Sequence, residues 1–352
     1  MKGRVVVIGT LAGRPVAGCF VDGVLEHLAL SPPDGLPAPE AILRGTMGRP
    51  VKGMGGAFVD LPGGLRGFLR ETAGLAPGGA VVVQVAGVAE PGKAVPLTRR
   101  LALKGRGAIL TPDAPGLNIS RSIRESGVRE GLQALAEAAM AGAPGDWGLI
   151  LRSAAALAPE DELAAEIAAL RALAARIAAA GSGPPDLLHP APDPAAVARR
   201  DWTVPPPDLI ADDPDAVEHF GLPDAVEALL SPEVPLPGGG SLFIEPTRAC
   251  VGVDVNTGPD TSPAAAAKAN LAAARALPRQ LRLRGLGGLV VIDFAPLPRR
   301  DRGALDQALR AAFRRDGGEA VLAGFTATGA YEVQRRRDGV PLAQALASSR
   351  TG

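Results

Sequence analysis

Cysteine is nearly absent from this 352-residue chain: there are two, Cys19 and Cys250, far apart and in no CxxC spacing. That argues against a structural zinc and fits a reduced, cytoplasmic protein. Long apolar runs are missing as well. None approaches transmembrane length, and "VVVIG" ahead of Arg14 is too short for the core of a signal peptide, so no membrane association is expected. Net charge is also absent, with 37 basic and 37 acidic residues, but the zero hides an asymmetry. Asp186 to Glu233 holds 11 acids against two arginines, whereas Arg279 to Arg350 holds 13 arginines against seven acids. A basic C-terminal third suits a polyanionic partner, although such runs are commonly solvated helix faces. Lysine is rare, at five beside 32 arginines in an alanine-rich chain, which reflects codon bias as much as chemistry. Aromatics make up 3% of the chain.

An apolar fraction of 47% excludes wholesale disorder, while 45 glycines and 34 prolines imply many turns. The length suits two or three units. Residues 1–35 read as two strands, "RVVVIGT" and "PVAGCFVDG", joined by a hairpin at Leu11 to Arg14. Five short β segments follow between about 41 and 101, the rhythm of a small OB-type barrel. From 102 to 183 come strands "GAILT" and "WGLILRS" and a long helix from Glu160 to Ala180, with acids in its first turn. The Pro- and Asp-rich stretch 184–215 reads as a surface connection, with "PAAVARR" a candidate short helix. From about 236, strands "GSLFIEP", "CVGVDVN" and "GGLVVIDFA" alternate with a helix kinked near Pro278 and with "RGALDQALRAAFRRD", and "EAVLAGFTA" follows as a strand. That succession predicts a mostly parallel sheet covered by helices, with a site at the C-terminal ends of its strands.

Within "ACVGVDVNTG", Val251, Val253 and Val255 share one face, and Gly252, Asp254 and Asn256 share the other. Asp293 in "VVIDF" ends the strand that follows one helical crossover, so the two carboxylates can meet at one sheet edge. Close carboxylates repel unless a hard divalent cation joins them, and magnesium or manganese suits oxygen donors. The alternative is that Asp254, Asn256 and Asp293 cap the turns that follow them.

The stretch "GGGSLFIEPTRACVGVDVNTG", followed by "ANLAAARALPRQLRLRGLGGLVVIDF", resembles the catalytic region of the ribonuclease E/G family, and the motif order follows that family over most of the chain. The resemblance implies a mixed α/β (α+β) fold. In it an OB-type barrel (36–100) is inserted in a ribonuclease-H-like unit (1–35 and 184–230) with a 5′-sensor region (101–183). A deoxyribonuclease-I-like α/β sheet domain (231–352) follows. It further implies an endoribonuclease acting on single-stranded RNA, in which Asp254 and Asp293 hold magnesium and Asn256 hydrogen-bonds one of them. The metal would activate water for in-line attack and leave 5′-phosphate and 3′-hydroxyl ends. Phe58, Phe68 and Lys93 match the barrel residues that grip RNA. "GLILRSA", "NISRSI" and "KGRGAIL" look like a pocket for a 5′-monophosphate. There Arg152 and Ser153 would bind the phosphate, Arg121 would buttress it, and the backbone of Gly105 and Ile109 would hold the terminal nucleotide.

Several positions depart from the family pattern. Ala327 stands where a basic residue is typical, Ala272 and Arg248 replace glutamates, and the CxxC zinc link and small dimerisation domain have no counterpart in this sequence. The expectation is therefore a short, diverged member without zinc, monomeric or weakly homodimeric. The alternative function is an RNA-binding protein of the same fold that has lost useful cleavage.

Overall fold

The structure, a computed structural model, describes residues 2–90, 92–337 and 339–347. Strands β1 (Arg4–Leu11), β2 (Arg14–Val21) and β3 (Val24–Leu30) form an antiparallel meander. Its two tight turns, Ala12-Gly13 and Asp22-Gly23, have positive φ at both positions, which matches the twist of a two-residue hairpin. The sequence predicts only two strands here; Glu26 and His27 obscure the alternation of β3.

Next, β4 (Ile42–Val51), β5 (Gly56–Asp60), β6 (Arg66–Leu69), β7 (Ala80–Val85) and β8 (Val95–Thr98) pair in the order β4-β5-β6-β8-β7, and β7 returns to β4. This is a closed five-stranded barrel, consistent with an OB-type fold, around Met47, Val59, Leu69, Val83 and Leu97.

A small sheet follows, built from β9 (Leu103–Lys104), β10 (Ala108–Thr111), β11 (Gly116–Ile119) and β12 (Gly148–Leu151) in the order β11-β12-β10-β9. Helices α1 (Ser126–Met140) and α2 (Glu160–Ala179) cover it, with Leu132, Leu163, Ile167 and Leu170 in the shared core. The stretch expected as a surface connection is more structured than that. Strand β13 (Asp186–His189) pairs with β4, and helix α3 (Pro194–Asp201) starts on an Asp193 side chain that accepts from the Ala196 N–H at 2.7 Å. Strand β14 (Leu209–Ala211) lies parallel to β1, and α4 (Ala216–His219) and α5 (Leu222–Leu230) complete this part. Both strands escape sequence reading because their backbones, flanked by Pro and Asp, find partners far away in the chain.

The last sheet comprises β15 (Glu233–Pro235), β16 (Ser241–Pro246), β17 (Val251–Asn256), β18 (Gly288–Asp293), β19 (Ala320–Phe325) and β20 (Tyr331–Arg335), in the order β15-β16-β17-β18-β20-β19. Helix α6 (Pro263–Leu283) runs unbroken through Pro278, and α7 (Arg302–Asp316) and α8 (Leu342–Ala347) follow. The expected mostly parallel sheet is corrected. Only β17 and β18 pair in parallel, and the other pairings are antiparallel. The cause is a hairpin at Thr326 to Ala330 that folds β20 between β18 and β19. Helices α6 and α7 pack Ala273, Leu277, Leu305 and Leu309 against Val253, Ile292 and Val333 on one face. Among the described residues no helix covers the other.

Candidate active site

The uncovered face follows from strand periodicity. Burial of Val251, Val253 and Val255, and of Val290 and Ile292, turns Asp254, Asn256 and Asp293 to the open side. The parallel register sets Asp254 directly opposite Asp293. Neighbouring strands lie about 4.8 Å apart, so both carboxylates stand at one level on adjacent strands. Asn256 donates from Nδ2 to Asp254 Oδ2 at 2.8 Å, which fixes one carboxylate oxygen and leaves the other open. Phe243 lies opposite Asp254 on β16, and Ser241 opposite Asn256. Among the described residues no cluster of three or more His, Cys, Asp or Glu side chains is placed to hold a metal ion, so an ion at this edge would have two carboxylates to rest on.

One supporting residue was not anticipated. Asn270 of α6 is 1% exposed; its Nδ2 donates to the Ala295 carbonyl at 2.9 Å, and its Oδ1 accepts from the Ala295 N–H at 3.0 Å. This pair of bonds ties the backbone just beyond Asp293 to the helix. The signal was present in the sequence, an asparagine inside the apolar stripe Ala266, Ala269, Ala273 and Leu277. Beyond Asp293, Phe294, Phe325 and Tyr331 pack edge to face or tilted, with the Arg302 guanidinium 4.8 Å over the Phe325 ring.

On the barrel, Phe58 and Phe68 are cross-strand partners, half-buried, with ring centroids 5.5 Å apart in a T-shaped contact. The Arg66 guanidinium sits 4.6 Å over Phe58. Lys93 is engaged elsewhere: its Nζ pairs with Glu90 at 2.5 Å, and Glu90 also pairs with Arg337 of the last sheet domain.

The residues matched to a 5′-phosphate pocket are only partly convergent. Arg152 donates from Nη1 to the Gly105 carbonyl at 2.7 Å and pairs through Nη2 with Asp201 at 2.7 Å. Ser153 opens the following 3-10 turn, and Ile109 lies in β10 between Ile150 and Lys104. Arg121 is exposed and forms no hydrogen bond or ion pair among the described residues. The backbone N–H groups of Arg106, Gly107 and Ala108 converge on the Glu166 carboxylate at 2.8 to 3.1 Å. A Cβ on Gly105 would meet Glu166 Oε1 at 2.3 Å, so a larger residue here would have to displace the Glu166 carboxylate from the three N–H groups it accepts from.

Asp201 extends the arginine contact into a chain of charges. Arg200 donates to both oxygens of Asp201, at 3.1 and 2.7 Å, and to both of Glu40, at 2.7 and 3.0 Å; Lys104 also pairs with Glu40, at 2.9 Å. Burial alone would raise the Glu40 carboxyl, but bonds from Arg200 and the charges of Lys104 and Arg200 hold it below the usual range. Asp201 behaves alike: burial raises it, and Arg200 with Arg152 brings it below its ordinary value.

Residues 102–208 and 207–338 match the Ribonuclease E/G family. A Ribonuclease E of Nostoc sp. is 31% identical over 304 residues, covering 75% of this chain and 44% of the relative. Ribonuclease E of Escherichia coli is 29% identical over 311 residues, covering 78% and 28%, and Ribonuclease G of the same species is 35% identical over 127 residues, covering 34% and 25%. The chain thus spans less than half the length of these curated relatives.

Proposed function

Because the chain belongs to the ribonuclease E/G family, we propose that it is a magnesium-dependent endoribonuclease that cuts single-stranded RNA to 5′-phosphate and 3′-hydroxyl ends. The observation that carries this reading is the register of Asp254 against Asp293 with Asn256 bound to Asp254. The donors fit a hard divalent ion, magnesium or manganese, which takes one or two carboxylates and completes its shell with water. When bound, such an ion lowers the pKa of water and offsets charge at a phosphodiester. The chain's own contribution is orientation. Asn256 aims Asp254, Asn270 anchors the turn beyond Asp293, and the exposed face admits an extended strand.

In this reading residues 36–100 grip RNA, with Phe58 and Phe68 as stacking surfaces that tolerate any base. Residues 101–183 read the 5′ end, residues 1–35 with 184–230 form the ribonuclease-H-like support, and 231–352 cut. A terminal monophosphate reaching Arg152 and Ser153 competes with Asp201 for the guanidinium, so recognition is coupled to the Glu40–Arg200–Asp201 chain. The test is cleavage of a 5′-monophosphorylated single-stranded RNA by the purified chain, with magnesium or with EDTA. Discrete fragments with magnesium alone are expected. Fragments that persist in EDTA, or none with any divalent ion, overturn the reading.

A further inference from the structure

A second concavity, of about 1070 Å³, opens at the opposite end of the last sheet, where β17 and β18 begin. The barrel's β7–β8 loop, the end of α5, the β16–β17 hairpin, the turn after α6 and the approach to α8 enclose it. Its charged walls are Lys93, Arg248, Arg284 and Arg337, against Glu90 and Glu245. Glu90 is already neutralised by Lys93 and Arg337. Arg248 is exposed and has no ion pair among the described residues, and neither does Glu245.

Arg284 is the unusual member. It is 7% exposed, and its Nη1 donates to the carbonyls of Leu229 and Ser231, its Nε to Gln280 Oε1 at 3.3 Å. Its Nη2 is buried and has no hydrogen-bond partner, and Arg284 forms no ion pair among the described residues. Arginines buried to a similar degree are treated differently by this fold. Arg44 faces Asp186 at 3.5 Å, and Arg335 faces Asp316 at 3.6 Å. A buried cation with no counter-charge is costly, and burial accordingly pulls the Arg284 pKa down. The planar guanidinium fork matches the oxygens of a phosphate supplied from outside.

We infer that this cleft binds a phosphate group, seated against Arg284 and rimmed by Arg248. The phosphate belongs either to a polynucleotide backbone or to a small free phosphate ester. The inference requires neither Asp254 nor Asp293 and stands whether or not the chain cuts RNA. Phosphorus NMR of inorganic phosphate titrated with the full chain is the test. The wild-type protein should broaden the signal saturably, Arg248→Ala should weaken the apparent affinity about tenfold, the loss of one charge-assisted contact, and Arg284→Gln, checked for folding by circular dichroism, should abolish it. In an Arg152→Ala background, which removes the phosphate contact proposed above, the saturable broadening and its dependence on Arg248 and Arg284 should persist. Release of bound phosphate by a single-stranded oligoribonucleotide with a 5′-hydroxyl assigns the site to backbone phosphates, and its retention assigns the site to small esters. Broadening that never saturates, that is identical in Arg248→Ala, or that disappears in Arg152→Ala overturns the inference.

Discussion

Two adjacent arginines at the end of α3 should respond to the same substitution with losses of very different size. Arg199 pairs with Asp212 at 2.5 Å, but the side chains are 49% and 56% exposed. Arg200 is 13% exposed and holds Glu40 and Asp201, which are 22% and 24% exposed, each through two bonds. Breaking an exposed pair costs about 0–1 kcal/mol, whereas removing one partner of a buried pair costs about 3–5 kcal/mol. Neither carboxylate is stranded in Arg200→Ala, because Lys104 still reaches Glu40 and Arg152 still reaches Asp201. The loss should therefore lie near the lower limit, about 3 kcal/mol, or roughly two orders of magnitude in the folding equilibrium. Urea unfolding at pH 7, followed by the fluorescence of buried Trp202, reads this directly, since Trp202 adjoins Asp201 and stacks on His27 at 5.4 Å. The folded-state pKa values of Glu40 and Asp201 are depressed, so their contribution is present at neutral pH and disappears as pH falls through those values. Arg200→Ala should accordingly flatten the acid limb of the stability profile. Equal losses in Arg199→Ala and Arg200→Ala, or a loss below about 1 kcal/mol in the latter, would refute the argument.

A second pH effect comes from His27, whose imidazole is pulled down to about 4 by burial and by the charges of Arg282 and Arg4. The unfolded chain binds a proton that the folded one refuses, so stability is full above about 6.5 and falls by roughly 3 kcal/mol as pH approaches 4; His27→Gln should remove that slope in urea titrations. Asp254→Asn and Asp293→Asn should each reduce magnesium-dependent cleavage to background while leaving the urea midpoint within about 0.5 kcal/mol of wild type, since both side chains are exposed. Full cleavage by either variant would misplace the site. Arg152→Ala should erase a preference for 5′-monophosphorylated over 5′-hydroxyl RNA, a loss of about ten- to a hundredfold. Equal losses on both RNAs would assign Arg152 to its contact with Asp201 alone.

What could be read from the sequence depended on range. The five barrel strands and the two aspartate-bearing strands were legible because each carries its own alternation or valine run, and paired carboxylates at strand ends announce themselves. Strands β13 and β14 were not, since "DLLH" and "LIA" become strands only when a distant edge accepts them, and "YEVQR" of β20 was missed because its charged and polar residues mask the hairpin it makes with β19. The arginine surplus of the C-terminal third was legible as charge but not as use. Arg279, Arg282, Arg310, Arg335, Arg336 and Arg337 all face carboxylates in the fold, and this internal pairing reduces the basic surface that composition suggested. The Arg152 to Asp201 contact was likewise invisible, because it joins the small sheet to α3 across nearly fifty residues of chain.

Helix α6 serves two masters. Ala273, Leu277 and Leu281 belong to the core of the last sheet, while Leu283 belongs to the core beneath β1 and β2. Arg279 and Arg282 reach the backbone of Leu25 and Glu26 in β3. A fragment beginning near residue 231 would therefore bare an apolar flank and leave Arg279 without its partners, while Arg282 would keep only Asp316, and the first thirty residues, supplied as a separate peptide, should dock onto it. The β1–β3 meander and the last sheet domain are structural complements, and that domain is best handled in the laboratory as a split protein whose missing part is the meander.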